Sequence, residues 1–221
     1  MSSMQDNAII YLGKDHRNQL DTSSTSGQIH CSLDTSLMLR NWRAIVFVHV
    51  VPLTIFIPLF LIDVLGEPLG STSDRILFGI SITVLIATLL LVLSIRRAFK
   101  RANWRTTVDP SKSLIESRTL DTTYLIPSKD IILVEVQVPG NPIGVLKEER
   151  LVLVALSTDG SCIVPIWASN CTQHEFSSVC RQVMDASGNQ QIHKIVHPQK
   201  SSATALVWIH PKTLMDQVKA L

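Results

Sequence analysis

Residues 44–62 read AIVFVHVVPLTIFIPLFLI, and residues 76–95 read ILFGISITVLIATLLLVLSI. Neither stretch contains Lys, Arg, Asp or Glu, and their lengths are 19 and 20 residues. A helix crossing about 30 Å of hydrocarbon needs roughly 20 such residues. The 13 residues between them, DVLGEPLGSTSDR, are rich in Gly, Pro, Ser and acid. So short a link makes the two helices antiparallel neighbours, and the pattern predicts a membrane α-helical hairpin. A buried hairpin in a water-soluble body would need protein to cover two helices that are apolar all round.

Charge placement orients the hairpin. Lys14, Arg17, Arg40 and Arg43 precede it, and RRAFKRANWR follows at 96–105 with no acid. The link offers only Arg75 against Asp63, Glu67 and Asp74. Because cytoplasmic flanks carry the excess of Lys and Arg, this asymmetry predicts a multi-pass protein of the inner cell membrane with both termini cytoplasmic. The expected interface anchors are Trp42, Arg43, Arg96, Arg97, Lys100, Arg101 and Trp104, with the lipid bilayer as their partner. Gly79, Thr83 and Ala87 recur every four residues, a stripe that admits a close helix neighbour. That neighbour is the first span, a second copy of the chain or another membrane protein. His49 is a candidate intramembrane polar site, since ionisable groups there are costly. The plainer reading is a neutral imidazole near the interface, hydrogen-bonded to the facing helix or snorkelling.

The rest of the 221 residues divides into an arm at 1–41, mostly disordered, and a domain at 106–187, with a C-terminal tail at 188–221. The spans with their flanks occupy 42–66 and 74–101. The arm is Ser/Thr-rich and low in hydrophobicity, with AIIYL at 8–12 its one fragment fit to join a sheet edge. From residue 106 the pattern changes to short β-type segments, among them IILVEVQV at 131–138 and LVLVAL at 151–156. Asp159-Gly160 is a strong hairpin signal, and SCIVPIW returns from it. A capping box at Thr172 to Glu175 then opens a helix whose Phe176, Val179, Cys180, Val183 and Met184 share one face. The expected fold class is a membrane α-helical hairpin plus α+β, a small antiparallel sheet or barrel closed by a C-terminal amphipathic helix.

This arrangement resembles bacterial membrane proteins that carry a two-helix hairpin and a pleckstrin-homology-like cytoplasmic domain. The matching residues are Leu125 to Ile131 (LIPSKDI), the Asp159-Gly160 hairpin with Val164-Pro165-Ile166, and the helix at 172–184, within a match spanning 42–187. The resemblance implies the pleckstrin-homology-like barrel and its closing helix. Residues 106–190 hold six Lys and Arg against ten Asp and Glu, so the phosphoinositide binding of some such domains is not expected here.

Chemistry-bearing motifs are missing from the sequence: no phosphate loop, no HExxH, no GxSxG and no CxxC occurs. Cys31, Cys162, Cys171 and Cys180 read as plain thiols, and His193, His197 and His210 lack metal-ligand spacing. No catalytic residue, cofactor, metal or nucleic-acid partner is expected. The functional expectation is a non-enzymatic scaffold or assembly module that binds a protein partner through its cytoplasmic domain or tail, with homo-oligomerisation open. The alternative is a subunit of an oligomeric transport or channel complex.

Overall fold

The structure, a computed structural model, describes residues 7–13, 17–22, 27–35, 40, 72–141, 146–168, 173–198 and 205–221. The chain forms two units, Met1–Ser36 with Phe99–Leu221, and Leu37–Ala98.

The first unit holds the eleven described strands. β1 (Ala8–Tyr11), β2 (Arg17–Thr22) and β3 (Ile29–Asp34) come from the polar N-terminal arm. β4 (Trp104–Asp109), β5 (Leu114–Arg118) and β6 (Thr123–Pro127) follow, then β7 (Ile131–Val138), β8 (Arg150–Ser157) and β9 (Ile163–Ala168). The tail adds β10 (Ile192–Val196) and β11 (Leu206–Ile209). Three helices are described: α1 (Thr72–Arg101), α2 (Gln173–Ser187) and α3 (Pro211–Lys219).

Three sheets result. β2-β3-β4-β5-β6 is a five-stranded antiparallel sheet, and β10-β7-β8-β9 is a four-stranded one in which only β10 runs parallel to its neighbour. β1 and β11 pair antiparallel, Ala8 opposite Ile209, which joins the two ends of the chain. Strand periodicity explains the layering. In β3 Ile29, Cys31 and Leu33 are buried while His30 is exposed, and in β4 Trp104, Thr106 and Val108 point inward while Arg105 points out. All six residues of β9 are buried, and this strand packs against β3 and β4. Thr106 locks the layers together: its hydroxyl lies 2.7 Å from Ser117 Oγ and donates to the Pro165 carbonyl at 2.8 Å. Phe176, Val179, Cys180 and Val183 of α2 are buried, and the helix lies on β3 and β4. It stops at Gly188, whose φ of +71° is the left-handed conformation glycine adopts cheaply.

The membrane-hairpin expectation is corrected by this architecture. The molecule is mainly β, and among the described residues no helix is long and apolar enough to cross a membrane. The physical reason lies in α1. Its last six residues carry Arg96, Arg97, Lys100 and Arg101, and Lys100 and Arg101 are half-buried just before the chain enters β4, so this end of the helix is a charged lead-in to the sheet. The multi-pass, inner-membrane placement with cytoplasmic termini rested on that hairpin and falls with it. Residues 42–66, the expected first span, lie outside the described residues except as a sequence. Within α1 the side chains of Ile86, Leu89, Leu90, Leu91 and Leu93 are exposed.

The β8–β9 connection shows why its sequence was legible. Ser157 N–H donates to the Cys162 carbonyl at 3.0 Å, and Gly160 takes φ of +67°. Asp159 accepts from the Ser157 hydroxyl, from Ser161 N–H at 2.9 Å and from Ser161 Oγ at 2.7 Å. These hydrogen bonds, the Ser157 hydroxyl foremost, lower its carboxyl to about 2. A carboxyl held below its unfolded value adds stability above that value and loses it as pH falls through the folded one. Asp159→Ala is therefore expected to melt below wild type at pH 7. The two Tm values should converge as pH falls from about 4 towards 2, and parallel curves across that window would contradict the assignment.

Candidate interaction face

The outward side chains of the five-stranded sheet form a polar groove of about 460 Å³. Strand register places them in rows. Gln19, Ser32, Arg105 and Arg118 stand across β2, β3, β4 and β5, and Asp21, His30, Thr107 and Glu116 form the adjoining row. Asp34 sits at the end of β3, half-buried. Each residue reaches this face because its strand neighbours are core residues: Cys31 and Leu33 flank Ser32, and Trp104 and Thr106 flank Arg105.

Most of these groups are tied to one another. Gln19 Nε2 donates to Asp21 Oδ2 at 3.0 Å, and His30 Nδ1 lies 3.0 Å from Thr107 Oγ1. Arg118 donates from Nε and pairs through Nη2 with Glu116 Oε1. Arg105 differs. It is exposed, it faces Arg118 directly across β4 and β5, and among the described residues it has no ion-pair partner. Like charges directly opposite on neighbouring strands are unfavourable by some tenths of a kcal/mol. An anionic group placed between these two guanidiniums would reverse the sign of that contact.

The groove presents charged and hydrogen-bonding groups to solvent. Its one thiol among the described residues, Cys31, alternates to the inner side of β3, and burial pushes that thiol up to about 12. It is protonated at neutral pH and turned away from His30, so the pair cannot act as nucleophile and base. Among the described residues no group of three or more His, Cys, Asp or Glu side chains is placed to hold a metal ion.

The residues expected from sequence to anchor the chain fall elsewhere. Arg96 and Arg97 are exposed on α1, while Lys100 and Arg101 are half-buried at its end. Trp104 is 3 % exposed, inside the β core and not at a surface; its Nε1 donates to the Ile9 carbonyl at 2.9 Å, and its ring stacks on Tyr124 at 5.9 Å. Thr83 and Ala87 are exposed on α1, and Gly79 belongs to the same helix. Trp42, Arg43 and His49 lie outside the described residues. Trp104, Lys100 and Arg101 do not line the groove. The groove residues had one sequence signal, the polar alternation of His30-x-Ser32-x-Asp34 and Arg105-x-Thr107 between buried neighbours. Compared with protein-family profiles, curated proteins and solved structures, the chain matches none.

Proposed function

We propose that this chain is a non-enzymatic interaction module that receives a protein partner on the outer face of the five-stranded sheet. The observation that carries the reading is Arg105, a cation set against Arg118 on a rigid sheet with no acid of its own among the described residues. Five strands give four spacings of about 4.8 Å, so the face is roughly 19 Å wide, a platform on the scale of one side of a small protein interface. Asp21, Asp34 and Glu116 on the same face would repel a nucleic-acid backbone, which favours a protein over a polyanion. A partner carboxylate seated between Arg105 and Arg118 would supply the missing anion.

The test places a photoreactive amino acid at Thr107 in the full chain in its native cells, with a control at Asp121, which is exposed on the β5–β6 turn. A discrete protein adduct is expected from position 107 and not from 121, and Arg105→Glu should reduce it several-fold, as loss of a charge-assisted contact does. An adduct that forms equally at both positions, or that ignores Arg105→Glu, would refute the module.

A further inference from the structure

The edges of the two large sheets are protected unequally. β2 carries the exposed Asp21, β10 carries Lys194 paired with Glu135 at 3.6 Å, and β9 is buried along its whole length. Charge and cover of these kinds prevent an edge strand from pairing with another chain. β6 has neither. Its sequence TYLIP contains no charge, Leu125 is 61 % exposed, and among the described residues no strand pairs along its outer side.

A groove of about 560 Å³ runs beside this edge, between Thr123–Pro127 and the β8–β9 turn at 157–162. Its far wall is already organised. Thr158 N–H donates to the Asp130 carbonyl at 2.9 Å, and the Asp159 carboxylate is fixed by Ser157 and Ser161. Asp130 and Asp159 both line the groove, and among the described residues no Lys or Arg does.

We propose that β6 is a docking edge for an extended segment of a partner protein that carries a lysine or arginine. Strand addition would satisfy the outward main-chain groups of Thr123 and Leu125, and alternate side chains of the incoming segment would enter the groove. Its cation would meet Asp130 and Asp159. A second copy of β6 is the poorer occupant because its residues bring no cation to that pair of carboxylates.

The experiment uses the isotope-labelled full chain and two acetylated, amidated pentapeptides, Thr-Val-Lys-Val-Thr and Thr-Val-Glu-Val-Thr. The lysine peptide is expected to shift the backbone amides of 123–126 and to bind about threefold more tightly than the glutamate peptide, the size that an exposed ion pair supports. Asp130→Lys should reverse the preference. Leu125→Lys, which puts a guard charge on the edge, should weaken both peptides while the amide spectrum of β7 and β8 stays dispersed. Shifts centred away from 123–126 would overturn the docking edge. Equal binding of the two peptides, unchanged in Asp130→Lys, would overturn the cationic occupant.

Discussion

Trp104→Ala is expected to lower the unfolding free energy of the β unit by about 3–5 kcal/mol, the usual cost of emptying a buried indole site. The ring is 3 % exposed on β4, it stacks on Tyr124 at 5.9 Å, and its N–H satisfies the Ile9 carbonyl. Truncation leaves a cavity and removes a hydrogen bond that ties β1 to β4. Trp104→Phe keeps much of the volume but loses the donor, so its cost should be smaller, about 1–2 kcal/mol. Urea unfolding followed by far-ultraviolet circular dichroism reads both. A loss below about 1 kcal/mol for the alanine variant would mean that the ring is not a core group, because only surface substitutions are so mild.

Phe176→Ala should rank with it, at about 3–5 kcal/mol, but with a different pattern of damage. Phe176 is 2 % exposed and opens the apolar face that Val179, Cys180 and Val183 continue along α2. A helix of 15 residues is marginal without its packing partner, so losing the first anchor should loosen the helix before the sheets. Hydrogen exchange is expected to show protection lost over 176–183 while the paired amides of β7 and β8 remain slow. Arg181→Ala, on the exposed side of the same helix, should stay within about 0.5 kcal/mol of wild type. If β7 and β8 lost protection in step with α2, the helix would be part of one cooperative unit and not a separately anchored cover.

Some elements declared themselves locally. IILVEVQV became β7, Asp159-Gly160 became the turn between β8 and β9, and the apolar face beginning at Phe176 became the buried side of α2. In each case the signal and the structure it specifies lie within about ten residues, where periodicity and turn chemistry act directly. The arm shows the opposite case. RNQLDT and IHCSLD are too short and too polar to read as strands alone. They are strands because β4 offers IHCSLD a paired edge and RNQLDT pairs with it in turn. Strand propensity of this kind is largely a property of the neighbour. Trp104 was misplaced for a related reason, since an indole beside five cations looks the same in sequence whether it meets a bilayer or the Ile9 carbonyl.

By itself the sequence determined which side chains alternate, where the tight turn falls and which helical face is apolar, because these depend on residues near one another along the chain. Tertiary structure alone decided that the N-terminal arm completes a five-stranded sheet, that β1 closes on β11 some 200 residues away, and that Arg105 faces Arg118. Those facts depend on register between distant strands. Register is set by how whole sheets bury their inner faces together, a sum over many contacts that no short stretch contains.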